Sequence, residues 1–177
     1  MTFAPDPRPV WLLDVDGVLN AAMPGWGETP DQGQAFVHGN RYLLRWAPTL
    51  ARRIAALHHS GGVEVRWATT WVDHIAQVER LLHLPPLATA FDGVDVVDAE
   101  ASVARKVAAA LHVVEVEQRP LIWTDDDAIP DHGPALERLD ATGMPALLVA
   151  PSSRYGLQPE DLDAIDDFLA ELTELAS

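Results

Sequence analysis

Cysteine is absent from the 177 residues. Neither a disulfide framework nor a thiolate metal site can organise such a chain. Long hydrophobic runs are missing too, since no stretch reaches the ~18 apolar residues that a membrane-spanning helix needs. Residues 1–9 hold prolines and charges instead of the apolar core of a signal peptide. The expectation is a cytoplasmic protein with no membrane partner. Positive charge is scarce: 12 Lys and Arg stand against 27 Asp and Glu, for a formal net charge of -15. That excess repels polyphosphate backbones except where cations are locally concentrated, so nucleic acid is a poor default partner. Lysine is the rarest cation, with Lys106 alone among the 12. A chain that otherwise uses arginine can keep one lysine where a compact ammonium is required.

What is present is organised around residues 10–20, Val-Trp-Leu-Leu-Asp-Val-Asp-Gly-Val-Leu-Asn. Four consecutive apolar residues, 10–13, suit a strand buried on both faces of a parallel sheet. Asp14 and Asp16 then stand at its carboxyl end, where open α/β sheets bind ligands, and Gly17 lets the backbone turn away. An ordinary acidic turn or a calcium loop would also use Asp-x-Asp-Gly, but no Glu closes the loop as calcium requires.

Along the chain, residues 21–34 read as a loop rich in glycine and proline. Residues 34–38 and 41–45 flank Gly39-Asn40 as a hairpin, so that roughly 21–46 forms a flap. Pro48 opens a helix with Leu50, Ile54 and Leu57 on its buried face. Residues 63–68 form the second strand, ending at Thr69-Thr70, and 71–82 the next helix, broken by Pro85-Pro86. A short third strand over 93–97, a helix over 102–111 and a fourth strand over 121–123 follow. That strand is capped by Thr124 and the run Asp125-Asp126-Asp127. Residues 131–139 are helical, 146–149 form a fifth strand and 160–175 a last helix. Trp11, Trp67 and Trp123 read as core packing. Arg154-Tyr155 are either loop surface or substrate contacts.

Strands alternating with helices specify repeated βαβ units. The fold expected is a single α/β domain over residues 1–177. It is Rossmann-like, with three α/β/α layers, a mainly parallel five-stranded sheet and a small hairpin flap. One domain of this length buries roughly two-thirds of its unfolded surface. Parallel strands bring Asp14 and Asp16, Thr69 and Thr70, and the 125–127 run to one sheet edge. Two carboxylates ~4 Å apart repel by about 4 kcal/mol at an effective dielectric near 20, so a cation belongs among them. Oxygen donors without cysteine point to a hard ion, and Mg²⁺ suits two or three carboxylates.

Four motifs in order, Asp14-Val15-Asp16-Gly17, Arg66-Trp67-Ala68-Thr69, Lys106 and Asp125-Asp126, make the chain resemble phosphatases of the haloacid dehalogenase superfamily, in a capless form. The resemblance implies Mg²⁺-dependent hydrolysis of a phosphomonoester through an aspartyl phosphate. Asp14 would be the nucleophile and Asp16 the general acid and base. Thr69, or the adjacent Thr70, would bind a phosphoryl oxygen, and Lys106 would offset negative charge. The metal would be held by Asp14, the backbone carbonyl of Asp16, and Asp125 or Asp126, with Asp127 ranked behind them as a turn cap. A phosphorylated small molecule is the substrate expected. The alternatives are a phosphorylated protein or nucleic-acid end, or a binding module that keeps the fold without turnover.

Overall fold

The computed structural model describes residues 8–93 and 99–175. Its central strand β1 (Val10–Leu13) is wholly buried, as four apolar residues without polar alternation require. It pairs in parallel with β4 (Glu64–Trp67) on one side and β6 (Leu121–Thr124) on the other. The edges of the sheet are β5 (Ala88–Thr89), beside β4, and β7 (Ala146–Val149), beside β6. Register decides where the chemistry falls. Leu13 lies opposite Trp67 on one neighbour and Thr124 on the other, so the three strands end level.

Alternate residues of these strands feed two cores. Trp11, Leu13, Val65, Trp67 and Ile122 face α1 (Pro48–Ser60), α2 (Ile75–Leu82) and α5 (Pro159–Leu175), through Leu50, Ile54, Val78, Leu82, Leu162 and Ile165. Leu12, Leu121 and Trp123 face α3 (Ala99–Leu111) and α4 (Pro134–Ala141), through Ala110, Leu111 and Leu139. The three-layer, mainly parallel α/β architecture is the one expected. Trp11, Trp67 and Trp123 are fully buried, and the indoles of the first two donate to Thr124 Oγ1 at 3.0 Å and Glu79 Oε1 at 2.9 Å. No helix among the described residues is long and apolar enough to cross a membrane.

The flap is an antiparallel pair, β2 (Asp31–Val37) and β3 (Asn40–Trp46). It starts earlier than the pattern suggested, and its tight turn is centred one residue back. Val37 pairs with Asn40, leaving His38 and Gly39 in the turn, both with positive φ (48° and 80°), as a two-residue hairpin loop of the mirror-image type demands. Its inner face is anchored by the buried Ala35, Leu44 and Trp46. The Gln77 side chain clamps the Phe36 backbone, accepting from its N–H at 2.9 Å and donating to its carbonyl at 2.8 Å.

Two further expectations move. The strand beside β4 is Ala88–Thr89, whereas the strand expected over 93–97 lies, apart from Gly93, outside the described residues. The helix expected from residue 131 starts at Pro134, whose fixed φ suits a first helical position after Gly133 at φ 89°.

Candidate active site

Because the three central strands end level, the residues that follow them meet. Asp14 leaves β1 almost completely buried. Its Oδ1 accepts the Val15 N–H at 2.7 Å, and its Oδ2 lies 2.6 Å from Lys106 Nζ. Lys106 reaches across from α3, 4 % exposed, and also stands 2.9 Å from Asp125 Oδ2 and 3.5 Å from Asp127 Oδ1. Burial alone would discourage its charge, but Asp14 and Asp125 outweigh burial and hold its pKa above the ordinary lysine value.

The carboxylates feel the same enclosure from the other side. Burial pushes the Asp14 carboxyl up to about 7, against the pull of Lys106 and with a further push from Asp125. Asp125, fully buried, is likewise raised by burial. Its Oδ1 accepts the Asp127 and Ala128 N–H groups at 3.2 and 2.9 Å. Its Oδ2 meets the Lys106 charge yet has no aligned hydrogen-bond donor. Asp126 is raised by burial and by Asp127. It also packs against the turn after Asp16. Gly17 has φ 71°, and a Cβ there would fall 2.1 Å from Asp126 Cγ, so both the backbone sign and the space require glycine.

One oxygen each from Asp14, Asp125, Asp126 and Asp127 lies within 4.8 Å of the others. A single ammonium cannot balance four carboxylates at that spacing, and Asp125 Oδ2 is buried without an aligned proton. Both facts fit a hard divalent cation, Mg²⁺ above all, which takes oxygen ligands and binds through few carboxylates.

Of the remaining expected residues, Thr69 is fully buried while Thr70 is exposed. The Thr69 hydroxyl accepts the Trp71 N–H at 3.4 Å and stands close enough to Asp14 to oppose the rise of its pKa, so it is Thr69 that belongs to the cluster. Asp16 is exposed and outside the set of converging carboxylates, though its charge reaches Asp126 and adds to the rise of that group's pKa. Asp16 Oδ1 accepts from Asn20 Nδ2 at 2.7 Å and its Oδ2 from Trp71 Nε1 at 2.8 Å. Its carboxylate therefore stands at the mouth, and only its backbone carbonyl remains for the metal role expected of it. Asp127 sits with the metal-capable oxygens despite its lower ranking.

Sequence reasoning passed over Trp71 and Asn20, the two side chains that hold Asp16. Trp71 reads as the opening of a helix. An indole two residues beyond Thr69 is the one signal that could have marked it. It enters a short 3-10 turn, Val72–His74, and its ring meets Tyr42 of the flap edge-on, with centroids 5.6 Å apart.

Compared with known proteins, residues 10–162 match the family model described as "HAD domain in Swiss Army Knife RNA repair proteins". That span runs from β1 into α5 and contains every residue of the cluster. No match was found to a curated protein or to a solved structure.

Proposed function

We propose, from the premise that this chain belongs to the family of HAD domains in Swiss Army Knife RNA repair proteins, that it is a phosphomonoester hydrolase acting on a phosphorylated nucleic-acid end. Membership supports phosphatase-type chemistry in general. The observation that carries the reading to this chain is the buried juxtaposition of Asp14 with Lys106 at 2.6 Å, inside a ring of further aspartates. A nucleophilic carboxylate needs its charge partly offset as it approaches an anion, and Lys106 is placed to do that.

Phosphate monoesters resist hydrolysis so strongly that enzymes supply up to ~10²¹-fold acceleration. Two displacements divide that barrier. In the first, an Asp14 oxygen attacks phosphorus and forms an acyl phosphate. The bond to the leaving oxygen breaks, and Asp16 gives that oxygen a proton. In the second, the Asp16 carboxylate takes a proton from water. The resulting hydroxide attacks phosphorus, the bond to Asp14 breaks and inorganic phosphate leaves. Thr69 can turn its hydroxyl to a phosphoryl oxygen, and Lys106 stays between the nucleophile and the incoming charge. Asn20 and Trp71 hold Asp16 at the mouth, where a leaving group would sit. A divalent cation held by Asp14, Asp125, Asp126 and Asp127, with the Asp16 carbonyl, would neutralise phosphoryl charge.

The family's occurrence in RNA repair proteins favours a nucleic-acid end over the small metabolite that net charge suggested. The test is acid-quenched turnover with oligoribonucleotides carrying a labelled terminal phosphate. Wild-type protein with Mg²⁺ should release phosphate and retain label on the chain, and Asp14→Asn should do neither. Label release by Asp14→Asn at the wild-type rate would remove the nucleophile assigned.

A further inference from the structure

The chain that follows the Asp16 turn lines, through residues 22–25, a cavity of about 550 Å³ completed by Pro30, Gln32, Arg45 and Tyr155. Both of its walls are tied to the chain just after the catalytic turn. On the flap side, Arg45 N–H donates to Asn20 Oδ1 at 2.9 Å, and the same Asn20 amide donates to Asp16. On the other side, Leu157 N–H donates to the Val18 carbonyl at 2.9 Å. Gly156, at φ 66°, lies so close that a Cβ would stand 2.5 Å from that carbonyl oxygen. The cavity is thus held in fixed relation to Asp16.

The flap and the loops around the cavity differ in chemistry from the rest of the surface. Seven large apolar side chains are exposed among the described residues; Met23 and Tyr155 line the cavity, Phe36 and Leu43 lie on one face of the flap, and Tyr42 lies on its other face. Charge is concentrated there as well. Strand pairing places Gln32 opposite Arg45, Gln34 opposite Leu43 and Phe36 opposite Arg41. By alternation these six side chains share the outer face of the hairpin, which carries two guanidinium groups and no carboxylate in a chain of net charge -15. Arg154 adds a third, lying 5.4 Å over the Tyr155 ring.

From this placement we infer that the cavity receives the base and sugar of the terminal nucleotide, with Tyr155 as its stacking platform, and that Arg45 and Arg41 on the outer flap face take the adjoining phosphates. Aromatic stacking and arginine contacts to phosphate are how single strands are held without sequence preference. The local arginines supply the positive concentration that the overall charge denies. This subsite rests on the nucleic-acid reading of the active site, and it adds where the strand lies.

The experiment compares kcat/KM for phosphorylated oligoribonucleotides, 3′ and 5′ in turn, with kcat/KM for p-nitrophenyl phosphate. Tyr155→Ala should lower the ratio of the two about tenfold, through KM for the oligonucleotide, and Tyr155→Phe should restore it. Arg41→Gln should flatten the dependence of oligonucleotide KM on salt by about one phosphate contact. Melting temperatures of all variants establish that they fold. If Tyr155→Ala and Arg41→Gln leave the ratio and the salt slope as in the wild type, the subsite is wrong while the active-site reading stands. If the wild type turns over p-nitrophenyl phosphate but no oligonucleotide, the nucleic-acid reading itself fails and the cavity has another occupant.

Discussion

The Lys106 ammonium lies between Asp14 and Asp125, 2.6 Å from one carboxylate and 2.9 Å from the other, with all three side chains buried. Lys106→Met would leave two enclosed carboxylates facing each other without a counter-charge. Breaking such a pair costs about 3 kcal/mol, so urea unfolding should shift to a lower midpoint. Turnover should fall at least ~100-fold, as when a donor to developing charge is lost. Lys106→Arg should not restore it, because a planar guanidinium does not fit where a compact ammonium meets two carboxylates.

Asp16→Asn separates the two chemical steps. p-Nitrophenolate leaves without a proton, so the phosphoryl group should still reach Asp14 from that substrate. A sugar hydroxyl leaves only with help. Quenched-flow labelling should therefore show the acyl phosphate accumulating with p-nitrophenyl phosphate, since water lacks its base, and little labelling with an oligonucleotide. Equal slowing of labelling and release with both substrates would contradict the role given to Asp16.

Trp71→Phe removes one N–H from Asp16 Oδ2 and keeps an aromatic ring against Tyr42. As a positioning residue, Trp71 should matter more to kcat than to KM. A fall of about tenfold in kcat is expected, with a melting temperature close to wild type and a change in the pH profile of kcat. A uniform rise in KM would mark it as a substrate contact instead.

These residues differ in how far the sequence could reveal them. That Asp14 and Lys106 would meet was legible through the four ordered motifs of the resemblance, with a doubly buried strand ending in acids as local support and one lysine among arginines as a weaker one. Asn20 and Trp71 were not. Their contacts with Asp16 depend on a turn that carries Asn20 back to Asp16 and on the level ends of β1 and β4, which only register supplies. The edge strand Ala88–Thr89 has two residues, both exposed, too few for any period to show. The arginine-bearing flap face escaped because net charge sums over the molecule, while alternation along β2 and β3 sorts side chains between two faces. The positively charged side of a strongly acidic chain becomes visible only after pairing is known.

Metal removal addresses the acidic ring. With four carboxylates able to converge on one point, EDTA should abolish turnover and millimolar Mg²⁺ should restore it. Mg²⁺ should also raise the melting temperature of the wild type, because a ligand bound only by the folded state stabilises it. Asp125→Asn should lose that thermal response together with activity. Full turnover in EDTA would remove the cation from the site.

At the opposite end of the sheet, Arg66 grips Glu117 through two bonds of 2.6 and 2.9 Å, and Glu64 and Arg119 complete the network. The hydrogen bonds from Arg66 hold the Glu117 carboxyl below its usual range, against the opposing effect of burial. A depressed folded pKa means that the unfolded chain takes up this proton first as the pH falls. The stabilisation is therefore complete above the unfolded value near 4.5 and is lost as the pH drops through the lower folded value. The pair is partly exposed, so its contribution is discounted to about 1 kcal/mol. Urea midpoints between pH 6 and pH 3 should fall less steeply for Glu117→Gln than for the wild type, while phosphate release at neutral pH is untouched, because this network lies away from the ends of β1, β4 and β6 that carry the chemistry.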